Sequence, residues 1–322
     1  MKILIIGGAG FLGSNLVRRL LLEEETQITV VDSLDPFFHS SKEFLWDVWD
    51  RIRFVLGDLR DERLLSELVP NQDLIFNCAA QPSHTLSLQN PLLDAEINCL
   101  GNLKLLETLR RANPNAVLVY PSSSTVMGAA HEEIVDEDHV ERPLEIYSAN
   151  KGVSEKYYQI YHSLYDLKTV VLRFANLYGP YGKGSPEFGF VNYFIHLAWT
   201  DQEIKIFGEG SQTRNVMYVE DATEILWRVS RDPRLYGKFF FATGPFHLSV
   251  REIAETIVAV FGRGKVAHVD WPKERRQIEI GSVQFSSEKL KRLLGWRPRF
   301  NFVSGLKKTR EVMEGCFEGT RG

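Results

Sequence analysis

Tyr147 and Lys151 stand at the two ends of Tyr147-Ser148-Ala149-Asn150-Lys151, a spacing that puts a phenol and an ammonium on one face of a helix. A phenol with a pKa of about 10 is a poor base at neutral pH, and a nearby positive charge brings it toward the working range by favouring the phenolate. Such a pair can take a proton from an alcohol if another group takes hydride from the same carbon. The spacing alone recurs by chance in many helices, so the chain must also supply a hydride acceptor.

That acceptor is implied at the amino terminus. Gly7, Gly8, Ala9, Gly10, Phe11, Leu12 and Gly13 follow the apolar run Ile3 to Ile6 and lead into Leu16, Val17 and Leu20, the pattern of a strand, a tight turn and a helix. Glycine in such a turn permits a sharp bend, close approach of backbone to a pyrophosphate, and close packing of helix on strand, while the helix N-terminus offers amide donors to phosphate. Gly7, Gly10, Phe11, Leu12 and Gly13 are therefore candidate cofactor contacts. A second strand, Gln27 to Val31, runs into Asp32, nineteen residues after Gly13. A carboxylate there accepts hydrogen bonds from ribose hydroxyls and repels a 2'-phosphate, so the expected cofactor is NAD.

Upstream of the tyrosine, Val119-Tyr120-Pro121 runs into Ser122, Ser123, Ser124 and Thr125, a hydroxyl-rich loop at the carboxyl end of a strand, where open parallel sheets bind ligands. A serine at that point can hydrogen-bond the reacting oxygen.

The elements needed to position these groups are legible as alternation. Apolar runs at Ile3 to Ile6, Ile28 to Val31, Ile52 to Leu56, Leu74 to Asn77, Ala116 to Tyr120 and Thr169 to Arg173 are separated by helical patterns, among them Glu62 to Leu68, Asn98 to Arg111 and Ser148 to Tyr165. This predicts an α/β fold, a Rossmann-type doubly wound parallel sheet with helices on both faces. Beyond about residue 177 the pattern breaks into glycine and proline punctuation, as in Tyr178-Gly179-Pro180-Tyr181-Gly182 and Phe207-Gly208-Glu209-Gly210, which suits a smaller, discontinuous lobe closing over a ligand. The aromatic-rich stretch Phe37 to Trp49 reads as a lid or an interface.

At 322 residues and 44% hydrophobic content the chain can bury a large core, and a formal charge of −4 leaves no basic stripe for nucleic acid. Cys78, Cys99 and Cys316 lack metal-ligand spacing, so no metal is expected and a reducing cytoplasm is the natural compartment. No run of about 18 apolar residues suggests a membrane span or signal segment.

Taken together, these residues resemble the extended short-chain dehydrogenase/reductase family, in particular its nucleotide-sugar epimerases and dehydratases. The opening is similar to T-G-G-A-G-F-I-G, with Ile6 and Leu12 departing from it, and Asp32-Ser33-Leu34 is similar to D-N-L. Gly57-Asp58-Leu59-Arg60-Asp61 resembles G-D-I-R-D, which implies that Asp58 and Leu59 meet the adenine. Ala79-Ala80 resembles the strand end that passes the cofactor, and Asn98 opens a stretch resembling N-x-x-G-x-x-x-L-L-E, placing it with the cofactor residues. Counting back from Val126-Met127-Gly128, which resembles V-Y-G, the active hydroxyl falls on Ser123, with Ser122 and Ser124 as alternatives. The catalytic set implied is Ser123, Tyr147 and Lys151.

Arg173 to Pro180 resembles R-x-x-N-x-Y-G-P, implying that Asn176 meets the nucleotide diphosphate, and Phe207 resembles the aromatic residue beside the base. Gln212-Thr213-Arg214 and Tyr218 to Asp221 resemble Q-x-R-D-x-x-x-V-x-D, with Asn215 in place of the aspartate. Arg214, with Arg275 or Arg276, is suited to phosphate. The stretch Gln81-Pro82-Ser83-His84 through Asn98 is similar to CDP-sugar 2-epimerases, which adds Ser83 to the substrate residues; His84 is read as structural. Dehydratases of the family carry Asp-Glu after the active hydroxyl, and decarboxylases a glutamate at the second of those places. Ser124 and Thr125 stand there instead, as candidate substrate contacts.

The reading is an NAD-dependent nucleotide-sugar epimerase acting at C4 of a UDP-hexose or UDP-uronate through a transient 4-keto sugar. The rivals are a decarboxylase, a 4,6-dehydratase, a CDP-sugar 2-epimerase and a catalytically silent NAD-binding sensor. Residues 1–176, with a returning segment near 212–245, form the expected NAD-binding domain, and 177–211 with 246–322 the nucleotide-sugar lobe. The resemblance also implies a homodimer through a bundle of the helices Asn98 to Arg111 and Ser148 to Tyr165.

Overall fold

Strands that are apolar on both sides need cover on both faces, and they obtain it. The computed structural model describes residues 1–38, 40–128, 134–273, 276, 279 and 281–318. Its main sheet has seven strands in the spatial order Lys238–Ala242, Lys168–Phe174, Val117–Ser123, Leu74–Asn77, Lys2–Ile6, Gln27–Asp32, Ile52–Leu56, and every neighbouring pair is parallel. The order reverses beside Lys2–Ile6, so the loops leaving that strand and Leu74–Asn77 part to opposite faces and leave a crevice at their carboxyl ends. One face is covered by the helices Phe11–Leu20 and Val219–Ser230, the other by Glu62–Leu68, Gly101–Ala112 and Ile146–Tyr165.

All six predicted strands are present, Ala116 to Tyr120 as Val117–Ser123, so that the strand carries its regularity into the serine loop. The seventh strand, Lys238–Ala242, was not foreseen. The helix expected from Asn98 is preceded by Pro91–Ala95 and a π-turn over Glu96–Leu100, and regular α-helix resumes at Gly101. The wider turn releases the Asn98 carbonyl, which accepts from Ser154 Oγ at 2.5 Å and Asn102 Nδ2 at 2.9 Å.

The remaining chain builds a second layer around the helices Phe190–Trp199 and Val250–Phe261, with strands Asn176–Tyr178, Thr213–Tyr218 and Phe246–Ser249 in one small sheet and Glu203–Phe207 paired with Lys265–Val269 in another. Asn215 is buried at their junction. Its amide donates to the Gly244 and Phe246 carbonyls and its oxygen accepts from Gly244 N at 2.8 Å, a combination that an ionised aspartate, having no donor, cannot supply.

Glycine is indispensable where the first turn meets its helix. A Cβ on Gly13 would lie 2.2 Å from the Gly7 carbonyl oxygen, so any larger residue would push the helix off the strand. Among the described helices none is long and apolar enough to cross a membrane.

Arg173 is buried at the end of its strand, bonded through Nε and Nη2 to the buried Glu155 at 2.6–3.1 Å and through Nη2 to Glu141, with the Phe239 ring 4.3 Å away. Substituting Glu155→Gln leaves that guanidinium short of a counter-charge, and a buried ion pair broken from one side costs about 3–5 kcal/mol. Urea unfolding of the variant is expected to show a loss of about 3 kcal/mol, because Glu141 remains; a loss below about 1 kcal/mol would contradict this account.

Candidate active site

Two clefts meet at the reversal point. The first, about 990 Å³ with its open mouth, is lined by Gly7, Gly10, Phe11, Leu12, Gly13, Asp32, Asp58, Leu59, Ala79 and Ala80, which are ten of the residues singled out for the cofactor. A Cβ on Gly10 would meet only the Gly7 carbonyl, at 3.4 Å, so hydrogen there keeps backbone open to the cleft. Asp32 is buried at the far end, one oxygen accepting from Ala9 N and the other from Leu34 N, both at 2.9 Å. Burial tends to raise the Asp58 carboxyl, but hydrogen bonds from the Arg60 side chain and amide bring it below its ordinary value. Open glycine backbone at a helix N-terminus, followed by fixed carboxylates, fits a dinucleotide with free ribose hydroxyls.

Of the other cofactor candidates, Tyr147 and Lys151 line the second cleft, and Asn98 lines neither. It lies buried outside the cleft lining, its amide donating to the Gln81 carbonyl and Asp94 and its oxygen accepting from Gln81 N, so it shapes the loop that borders the cleft.

The second cleft, about 1340 Å³, is lined by Ser123, Ser124, Thr125, Tyr147, Lys151, Asn176 and Arg214, and shares Phe11, Leu12, Cys78, Ala80, Pro82 and Phe188 with the first. Two of the three neighbouring serines are told apart by their partners. Ser122 Oγ donates to the buried Glu155 at 2.5 Å and is thereby committed to the Arg173 cluster. Ser123 shares a hydrogen bond with Thr125 Oγ1 at 2.8 Å and interacts with the Tyr147 phenol. Lys151 Nζ donates to the Pro121 carbonyl at 2.8 Å and lies 4.1 Å from the Tyr120 ring centre.

What fixes the tyrosine is a set of residues outside the expected catalytic and binding residues. Glu145 caps the helix, accepting from Tyr147 N at 2.9 Å and Ser148 N at 3.0 Å, and it also holds His84 Nδ1 and Ser87 Oγ at 3.0 Å each. The His84 ring meets the Tyr147 ring edge-on, with centres 4.8 Å apart. One turn later, Asn150 donates to the fully buried Asp94 at 2.8 Å, and Asp94 also receives Gln81 and Asn98. An acid immediately before a helix is a capping signal visible in sequence; the Asp94 and His84 partners, over fifty residues away, carry no local signal.

At the substrate end, Asn176 Nδ2 donates to the Asn215 carbonyl at 2.9 Å, and Arg214 is drawn to Glu279 at 2.5 Å and the Gly281 carbonyl at 2.6 Å. Three substrate candidates fall outside the cleft lining. Ser83 is buried, its hydroxyl capping Leu86 N and donating to Glu187. Phe207 packs on Trp271, with ring centres 5.3 Å apart. Arg276 is exposed, and Arg275 lies outside the described residues.

The sequence profile of the NAD dependent epimerase/dehydratase family matches residues 3–238. The chain is 31% identical over 316 residues to the UDP-glucose 4-epimerase of Mycolicibacterium smegmatis, covering 97% of this chain and 98% of that one. It is 30% identical over 321 residues to the dTDP-glucose 4,6-dehydratase of Streptomyces niveus, covering 97% and 92%. The crystal structure of Thermus thermophilus UDP-glucose 4-epimerase in complex with NAD superposes with a TM-score of 0.85 at 28% identity, covering 98% of this chain and 99% of that one.

The titration of the site differs from the simple expectation that Lys151 lowers the phenol. Burial pushes Tyr147 well above its usual range, the Glu145 carboxylate adds to this, and only the Ser123 contact opposes it. Burial also pushes the Cys78 thiol up to about 12, which leaves it inert. Lys151 itself is pulled from 10.5 down to about 8 by burial, against the opposing influence of Glu155, Cys78 and Asp94. Between these two values the unfolded lysine holds a proton that the folded one has released, so stability of the cofactor-free protein rises with pH from about 8 to 10.5. Lys151→Met is expected to remove that rise and to stabilise the cofactor-free protein at pH 7 by on the order of 1–3 kcal/mol, the ionisation cost less the lost bond to Pro121. Thermal unfolding across pH checks this, and an unchanged slope above pH 8 would refute it.

Proposed function

The chain belongs to the NAD-dependent epimerase/dehydratase family, and from that premise we propose that it is a nucleotide-sugar epimerase acting at C4 of a UDP-hexose or UDP-uronate. The observation that carries this reading is the pair Ser124 and Thr125. They line the substrate cleft beside Ser123 and Tyr147, and Thr125 is hydrogen-bonded to Ser123, so hydroxyls occupy the place where dehydration would need an acid and a base. Relatives named as epimerase and as dehydratase are similarly distant in sequence, at 31% and 30% identity, and this local chemistry is what favours epimerisation.

Tyr147 as phenolate takes the proton of the sugar hydroxyl, with Ser123 hydrogen-bonding the same oxygen. NAD, when bound, accepts hydride from that carbon and returns it, and its cationic ring favours the phenolate. Lys151, fixed on Pro121, keeps a positive charge beside the site at neutral pH. The 4-keto sugar would turn over in the cleft so that its other carbonyl face takes hydride, and Tyr147 returns the proton to the carbonyl oxygen, so nothing is consumed and orientation dominates the rate. Asn176 and Arg214 are the proposed contacts to the nucleotide diphosphate, with Arg214 exchanging Glu279 for phosphate.

The exposed apolar side chains Leu100, Val153, Ile160 and Leu164 lie on neighbouring helices and support a homodimer through them. Sedimentation is expected to give the mass of two chains, and Val153→Glu with Ile160→Glu to give that of one; a monomeric parent would remove the proposal.

Incubation with separate UDP-, CDP- and dTDP-sugars, UDP-glucuronate included, is expected to yield a product of unchanged mass from a UDP-sugar. Loss of water or carbon dioxide would overturn epimerisation. Tyr147→Phe should retain bound NAD and lose at least about 1000-fold in turnover; near-parental activity would exclude Tyr147 from the proton step.

A further inference from the structure

The stretch from Gly179 to Gly189 leaves the second layer and runs across the mouth of the cofactor cleft. It is tied down along its length. The Pro180 carbonyl accepts from Asn15 Nδ2 at 3.0 Å, on the helix that follows the glycine turn. The Tyr181 ring lies 4.0 Å from the Arg18 guanidinium. Lys183 Nζ donates to the Phe38 carbonyl, in the loop after Asp32, and Glu187 accepts from Ser83 Oγ at 3.0 Å, on the opposite rim. Lys183 and Phe188 line the cofactor cleft, and Phe188 lines the substrate cleft as well.

The charges facing that cleft are unbalanced in an informative way. Its carboxylates are Asp32, held by two backbone amides, and Asp58, held by Arg60. Among the described residues Lys183 is the only cation in the lining, and its hydrogen-bond partner is a neutral carbonyl. A half-buried ammonium without an ion-paired anion is costly, and burial pulls Lys183 down to about 8 despite the nearby Asp32. A dinucleotide in this cleft would bring the missing charge, as a diphosphate with two negative oxygens that the glycine turn is suited to hold.

We propose that Gly179–Gly189 is a strap by which the second layer closes over the dinucleotide, and that Lys183 is a cofactor-binding residue whose ammonium pairs with the cofactor diphosphate. The inference concerns NAD and holds whichever sugar reacts. Cofactor retention then depends on a segment that also borders the substrate cleft.

The test compares affinities of the cofactor-stripped parent, Lys183→Met and Lys183→Arg for NAD, ADP-ribose and adenosine by calorimetry, with NAD release from the loaded protein followed in parallel. Lys183→Met is expected to weaken NAD and ADP-ribose about tenfold and to flatten their salt dependence, while Lys183→Arg keeps most of the affinity and adenosine, lacking the diphosphate, is unaffected. Glu187→Gln, which loosens the strap without touching the lysine, should speed NAD release several-fold. NAD and ADP-ribose affinities within twofold of the parent would overturn the pairing. An equal loss for adenosine with a lowered unfolding temperature would reduce Lys183 to a structural tie and also overturn it, and tighter binding of NADP than NAD by the parent would move the ammonium to a 2'-phosphate.

Discussion

The structure turns on a phenol and an ammonium held out of water on one helix. Burial disfavours the charged form of each, and in Tyr147 the capping carboxylate of Glu145 reinforces the effect. A site that resists charge separation in its resting state gives any later positive charge great leverage, because the low dielectric that imposes the cost also magnifies the interaction that relieves it. The cofactor-free protein therefore holds Tyr147 as a neutral phenol.

Leverage of this kind requires rigidity, and the chain supplies it through contacts distant in sequence. Glu145 joins the helix start to His84 and Ser87, Asp94 accepts from Asn150 in its second turn, and Lys151 is tied to the end of the serine strand through Pro121. The π-turn at Glu96–Leu100 turns Asn98 toward Gln81 and exposes a carbonyl to Ser154, so the same irregularity shapes the loop bordering the first cleft and holds the helix that carries Tyr147. Positioning by buried, fully partnered polar groups suits a reaction in which the same two groups serve both directions of a proton and hydride exchange.

The two clefts share six lining residues, mostly apolar, so ligands in the two would meet along a common wall. Ser122, Ser123, Ser124 and Thr125 line the second cleft beside Tyr147, with Lys151 and Arg214 as its lysine and arginine, while the Glu145 carboxylate stands behind the tyrosine outside the lining. In the proposed reaction such a surface would accommodate a keto sugar without placing a carboxylic acid beside it.

The sequence by itself determined the elements and the chemistry that depends on local spacing. Six strands, the glycine turn, the Asp32 carboxylate, and the shared face of Tyr147 and Lys151 are consequences of periodicity and of residue types within one turn or one strand, where sequence distance and spatial distance coincide. Only the tertiary structure gave neighbouring serines different partners, because Ser122 and Ser123 are alike until Glu155 claims the first and Thr125 pairs with the second. It likewise drew Ser83 and Asn98 into positioning networks, set Phe207 against Trp271, and brought Lys183 to the cofactor cleft. Those outcomes rest on partners from other parts of the chain, and a hydrogen bond or a desolvation cost exists only once folding has brought them together.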